Sequence, residues 1–178
     1  MKAIGLDLSL TGTGVCVLSE DDVVLETIRS KPCGDTPSDE LRRLQGIISK
    51  IEGFLDEHEG VSIAAIEGLA YSARNTTALV QLAGLNYLTR DMLHRRGITF
   101  VIVQPSSLKK YITGKGNAQK DHIMLEIYKN FGITILDNNQ SDAYALAHCA
   151  AAFSGEELHK LTAPQKDVVK LLMNQKKV

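Results

Sequence analysis

Three acidic residues of this chain, Asp7, Glu67 and Asp142, sit at topologically meaningful places. Asp7 interrupts the apolar run Ala3-Ile4-Gly5-Leu6-Asp7-Leu8, which reads as a β-strand, and strands are poor in Asp. Glu67 closes a second apolar run that begins at Val61. Asp142 opens the alanine-rich stretch Ala143-Tyr144-Ala145-Leu146-Ala147, whose small side chains let a helix approach a sheet closely. Carboxylates brought within a few ångströms repel one another, and their ionised forms call for a cation. Hard oxygen ligands suit Mg²⁺ or Mn²⁺ and not zinc. Two such ions about 3.5–4 Å apart clamp the attacking water and the leaving oxygen of a phosphodiester. Taken singly, Glu67 also fits a solvated strand end and Asp142 a charge favoured by a helix N-terminus. The joint pattern is what points to metal chemistry.

The elements that must carry these residues follow from periodicity and turn signals. Lys2 to Leu8, Thr13 to Leu18 and Val23 to Ile28 read as three strands separated by the short turns Ser9-Leu10-Thr11-Gly12 and Glu20-Asp21-Asp22, hence antiparallel hairpins. Thr36 and Pro37 mark a helix start, and Leu41, Leu44, Ile48, Ile51 and Leu55 continue it at helical spacing. Val61 to Ile66, ending at Glu67, forms a fourth strand, Asn75 to Arg95 a helix, and Ile98 to Val103 a fifth strand. Crossovers of that length imply parallel pairing. A polar segment from Gln104 to Ala118 holds a short helix at Ser106 to Ile112. Further helices run from Gln119 to Asn130, from about Ser141 to Phe153, and from the capping-box sequence at Thr162 to about Asn174. The expected fold is α/β, a mixed five-stranded sheet flanked by helices. Residues 1–155 form the main domain and 156–178 a C-terminal helical extension of it.

Four segments, in order, resemble the motifs of the RuvC family of Holliday junction resolvases. Gly5-Leu6-Asp7-Leu8-Ser9-Leu10-Thr11-Gly12-Thr13-Gly14 is similar to the first. Ile66-Glu67-Gly68-Leu69-Ala70-Tyr71-Ser72-Ala73-Arg74-Asn75 is similar to the second, in the form often seen in phage-borne members. The run from Gln104 to Lys120 resembles the lysine-bearing segment, and Ser141-Asp142-Ala143-Tyr144-Ala145-Leu146-Ala147 the last acidic motif. Together they span about residues 2–150. The resemblance implies a ribonuclease H-like fold and a metal-dependent endonuclease acting on branched DNA. Four-way junctions would be its substrate, with forks and flaps as further candidates. It also implies two Mg²⁺ ions per active site, Mn²⁺ being able to substitute, no nucleotide cofactor, and a homodimer, because paired cuts need two symmetric sites.

The same resemblance distributes roles. Asp7, Glu67 and Asp142 become metal ligands and catalytic residues. Lys109 and Lys120 become the lysines that contact phosphate or stabilise the transition state, with Lys110 an adjacent alternative. Tyr71 becomes an aromatic that stacks at the branch point, and Arg74 and Lys115 further DNA contacts. One departure stands out. The family carries a fourth acidic residue about three positions before the last aspartate, and here Asn139 occupies that spacing while Asp137 lies five residues away. Asn139 is the expected fourth ligand, through its amide oxygen. A junction-binding protein that no longer cuts is the alternative this departure raises. Each half of the actin-like kinases and ATPases shares the element order, but such proteins need two of these domains, and 178 residues supply one.

Bulk properties narrow the rest. An apolar content of 44% and a charged content of 23% describe an ordinary globular chain. A net charge of −1 argues against a nucleic-acid coat protein, not against a nuclease whose acidic cluster lowers the total. No apolar run approaches the ~20 residues of a membrane span, and the amino terminus is too short and polar for a secretion signal. The cytoplasm of a bacterium or phage-infected cell is the expected compartment, with no membrane partner. Cys16, Cys33 and Cys149 are far apart and odd in number, reading as buried or surface thiols. His58, His94, His122, His148 and His159 show no metal spacing and read as satisfied surface or core histidines. The helix bearing Leu79, Leu82, Leu85, Leu88 and Met92 is a candidate dimer face, a packing face on its own sheet, or both.

Overall fold

The computed structural model describes residues 1–69, 76–156 and 158–177, the side chains of Lys120, Asp121, Lys176 and Lys177 excepted. Its strands are β1 (Lys2–Asp7), β2 (Gly12–Leu18), β3 (Val23–Arg29), β4 (Val61–Glu67) and β5 (Thr99–Val103). They form one sheet in the order β3-β2-β1-β4-β5. The two tight turns make β1–β2 and β2–β3 antiparallel, and the helical crossovers make β1–β4 and β4–β5 parallel, as the element order predicts.

Both faces of the sheet are covered. On one face lie α1 (Pro37–Glu57) and α2 (Thr76–Arg95), packed on Ile4, Leu6, Val15, Val17, Ala64 and Ile66. On the other lie α3 (Pro105–Thr113), α4 (Lys120–Phe131), α5 (Asn138–Ser154) and α6 (Ala163–Met173), meeting Ala3, Cys16, Ile63, Ala65 and Val101. Residues 1–69 and 158–173 thus share a core, because Val168 and Leu172 of α6 are buried in the α5 layer. Past α6, the Gln175 side chain donates to Ile102 O at 2.7 Å and accepts from Ile102 N at 3.2 Å, covering the outer edge of β5.

Helix α1 starts as its sequence dictates. Asp39 N donates to Thr36 Oγ1 at 3.2 Å and Thr36 N to Asp39 Oδ2 at 3.3 Å, with Pro37 in the first turn. Its buried stripe is Leu44, Ile47, Ile48, Ile51, Phe54 and Leu55, while Leu41, expected inside, is exposed on the first turn.

Helix α2 decides its own ambiguity in part. Leu85 and Met92 are fully buried, and Leu82 and Leu88 pack against the same core, so these belong to the monomer; its exposed apolar residues are Val80 and Tyr87.

Helix α5 begins three residues before the expected Ser141. Asp137 caps it, its Oδ1 accepting from Asn139 N at 2.8 Å and its Oδ2 from Thr27 Oγ1 at 3.0 Å. From Ser141 to Phe153 every residue of α5 is buried, the signature of a helix enclosed on all sides. No helix among the described residues is long and apolar enough to cross a membrane.

Candidate active site

Asp7 is the last residue of β1 and pairs with Gly14 across the hairpin. Leu6 pairs with Ile66 on β4, so Glu67 is the neighbour of Asp7 along the next strand, at a strand separation of about 4.8 Å. Side chains alternate along a strand. Ala3, Gly5 and Asp7 therefore share one face with Ile63, Ala65 and Glu67, and this is the face that α5 covers.

Helix α5 reaches that face because glycine lets it. A Cβ on Gly5 would lie 1.9 Å from Ala143 O and 2.5 Å from Ala147 N, and one on Gly14 would lie 2.0 Å from Asn139 O. The helix thus runs back along β1 with Asn139 above the level of Asp7 and Ala143 deeper, above Gly5. Asp142 lies between them. The backbone thus places Asp7, Glu67 and Asp142 toward the carboxyl ends of β1 and β4. The positive end of the α5 dipole points to the same place, which favours anions there.

Asp7 is 8% exposed and Asp142 6%, while Glu67 is half-buried. Carboxylates so removed from water are costly without compensating charge. Their oxygens are the donor set that Mg²⁺ or Mn²⁺ prefers, so the residues present fit a hard divalent cation. Among the described residues no three His, Cys, Asp or Glu side chains stand as a ready-made cage. The backbone brings the three residues to the same end of the sheet.

The fourth position separates its two candidates. The Asp137 carboxylate is engaged in capping α5 and in holding Thr27 of β3. Asn139 stands one turn before Asp142, with its Nδ2 3.2 Å from where a Cβ on Gly12 would be.

Two supporting residues escape sequence reading. Thr13, fully buried, accepts from Ser9 N at 3.1 Å and donates to Ser9 O at 2.9 Å, closing the turn that follows Asp7. Asn86 of α2, 1% exposed, donates from Nδ2 to the main-chain oxygen of Glu67 at 3.3 Å. The signal for Asn86 is a lone amide at a buried position of an apolar helix; Thr13 offers none beyond β-propensity.

The basic residues line up unevenly. Helix α3 starts directly after β5, whose Val103 pairs with Glu67, so Lys109 in its second turn lies on the side of the sheet that carries the site. Lys110 instead pairs with Asp167 of α6 at 2.9 Å. Lys115 is exposed in the turn after α3, and Lys120 opens α4. Tyr71 and Arg74 lie outside the described residues.

Away from the site, His148 corrects one expectation. It is buried among Phe131, Tyr144 and His159, with ring centroids 4.4, 4.6 and 5.2 Å away. Its ring nitrogens have no hydrogen-bond partner among the described residues, so it is a core histidine but not a satisfied one. Burial, with the nearby His159 charge, lowers its pKa to about 3. Cys16 and Cys149 are buried thiols whose pKa burial raises, and Cys33 is exposed.

Comparison with known proteins gives this geometry its relatives. The family model for "Crossover junction endodeoxyribonuclease RuvC" matches residues 3–150. A protein of that name from Bifidobacterium adolescentis is 31% identical, across 93% of this chain and 90% of its own length. Another from Rickettsia felis is 27% identical, across 83% and 96%. Among solved structures, T. thermophilus RuvC in complex with Holliday junction substrate has the same fold, with a TM-score of 0.70 at 19% identity over 88% of this chain and 97% of that one.

Proposed function

Because this chain belongs to the RuvC family of crossover junction endodeoxyribonucleases, we propose that it cuts four-way DNA junctions by metal-dependent phosphodiester hydrolysis. The observation that carries the reading is the delivery of Asp7, Glu67 and Asp142 to one end of the sheet from β1, β4 and α5. These carboxylates, with the amide oxygen of Asn139, would hold two Mg²⁺ ions, for which Mn²⁺ can substitute. Bound there, the ions would supply a hydroxide-like water and neutralise charge building on the phosphate.

The chain's own residues do the remainder. The two strand carboxylates and the helix carboxylate would face the scissile phosphate through the cations they hold, since bare carboxylates repel it. Lys109 and Lys120 act as point charges on the phosphate oxygens, where charge grows in the transition state. Lys115, Arg74 and Tyr71 extend the DNA contact beyond the cut, while Lys110 is taken up by Asp167. Thr13 and the Ser9 turn keep the end of β1 from fraying as substrate enters.

Paired cuts need two sites related by symmetry. Val80 and Tyr87, 70% and 65% exposed on the outer side of α2, supply an apolar patch for a second copy of the chain, with Arg90 stacked 4.8 Å from the Tyr87 ring centroid. The chain acts in the cytoplasm, where its DNA is.

Nicking of matched duplex, fork and four-way substrates with Mg²⁺, Mn²⁺ or chelator tests the reading. Cutting confined to branched DNA, present with either metal and absent in chelator and in Asp7→Asn, is expected. Junction binding without any metal-stimulated cutting would leave a binding protein in place of the nuclease.

A further inference from the structure

Asn86 is the most deeply buried amide among the described residues, 1% exposed in the middle of α2. Its layer is apolar, with Leu85, Met92 and Leu93 facing Ile4, Leu6, Ala64 and Ile66. An amide in such a layer is unfavourable unless it is hydrogen-bonded, and few buried polar atoms in folded proteins lack a partner. Among the described residues Asn86 makes one side-chain bond, from Nδ2 to Glu67 O at 3.3 Å. Its Oδ1 has no hydrogen-bond partner among the described residues. A leucine of nearly the same shape would remove the unpartnered Oδ1 and leave the Glu67 carbonyl without its amide donor. The unpartnered Oδ1 is a stability penalty, and the bond that Asn86 makes among the described residues goes to the main chain of Glu67.

We propose that Asn86 is the positioning residue for Glu67, fixing the direction of its carboxylate toward the metal ions of the reading above. Glu67 ends β4, where ladder hydrogen bonds run out. On the β5 side, Gly68 N donates to Val103 O at 2.8 Å. On the α2 side, the Asn86 amide takes the Glu67 carbonyl. The peptide that follows Glu67 is held by these two bonds, and a held peptide fixes the Cα–Cβ direction of the residue before it. Gly68 adds to the constraint, since a Cβ there would lie 2.9 Å from the Gln104 side-chain amide, so the chain passes β5 at close range. Asn86 touches no metal and no DNA; it acts through Glu67 alone.

Asn86→Leu separates this role from a structural one. Its melting temperature stays close to that of the wild type, because removal of the unpartnered Oδ1 offsets loss of the bond to the Glu67 carbonyl. The Mn²⁺ dissociation constant of the DNA-free protein rises about tenfold, and so does the Mg²⁺ concentration that half-saturates single-turnover nicking, the range found when partners that orient metal ligands are lost. Junction affinity in chelator stays unchanged. Asn86→Ser, too short to reach the Glu67 carbonyl, shows the same metal shifts and carries the test if the leucine variant does not fold. Mn²⁺ affinity and Mg²⁺ dependence within twofold of wild type would overturn the proposal, as would loss of folding in both variants. If the wild type cut no junction, the Mn²⁺ titration would still decide Asn86 while the nuclease reading alone failed.

Discussion

Adding one methyl group to Gly5 should damage the fold and the site together, through the distance between α5 and β1. In Gly5→Ala the new Cβ starts 1.9 Å from Ala143 O, 2.5 Å from Ala147 N and 2.9 Å from Leu146 Cβ, all on α5. Two of these atoms are backbone, so no rotamer change relieves the clash. Helix α5 must retreat by about 1.5 Å to restore ordinary contact distances, and it is enclosed on every side from Ser141 to Phe153. Overpacking of this kind costs about 3 kcal/mol, the upper part of the usual range, which for a chain of this size lowers the melting temperature by roughly 6–12 °C. Asp142 rides on the displaced helix, and a misplacement of about 1 Å at a reacting centre lowers the rate by roughly 100-fold. Gly46→Ala is the matched control: it sits on the exposed side of α1, with nothing within 4 Å of the added Cβ. Replacing glycine inside a helix should there stabilise by about 0.5–1 kcal/mol. Thermal unfolding followed by circular dichroism and junction nicking on the same samples read both effects. A Gly5→Ala protein melting within 2 °C of wild type and nicking at its rate would refute the close-approach argument.

Asn139→Asp restores a carboxylate one turn before Asp142 and should lower the half-saturating Mg²⁺ concentration for nicking; an unchanged metal titration would remove Asn139 from the ligand set. His148 has a folded pKa of about 3 against an ordinary value of 6.5. Its unfolded form therefore binds the extra proton first, and its contribution to stability, complete above pH 6.5, is lost as the pH falls toward 3. The slope is about 1 kcal/mol per pH unit, so melting temperatures of His148→Phe and wild type should diverge below pH 6 in favour of the variant, and parallel curves would contradict the burial. Lys109→Ala should cut junction nicking and reduce the salt slope of binding by about one phosphate contact. Lys110→Ala loses a half-exposed pair with Asp167 worth at most about 1 kcal/mol and should leave nicking near wild type; equal effects on nicking would erase the distinction between the two lysines.

What could be read from the sequence was what lies along the chain. The five strands and the α1 cap follow from turn residues and from Thr36-Pro37, all local signals. Apolar periodicity starts helix α5 three residues late because Asn138-Asn139-Gln140 has none, and the Asp137 cap shows only in the bonds of its carboxylate to Asn139 N and Thr27. Leu41 keeps helical spacing with Leu44 and Ile48, yet the buried stripe starts one turn later. The α2 stripe could not be apportioned between sheet and partner, since apolar residues serve both. Thr13 and the His148–His159 pair are products of contacts between elements that no local pattern announces, and Asn86 shows only as an amide on an apolar helix, with its partner hidden. Asp7 stands out in the sequence for the opposite reason, since an acidic residue inside an apolar strand contradicts local preference; Glu67 and Asp142 stand out only jointly with it.

The third carboxylate comes from a helix because the sheet has no place for it. Asp7 and Glu67 already occupy neighbouring strands at the same level, and the only other strand beside Asp7 is β2, where its partner is Gly14. A side chain at Gly14 would occupy the position of the Asn139 backbone. Glycine there gives up a ligand from the sheet and in exchange admits α5, which brings Asp142 in from above with the positive end of its dipole. Three candidate ligands on adjacent strands would lie in one flat row, whereas two strands and a helix present them from two directions. A residue with no side chain thus decides the shape of a site built from carboxylates.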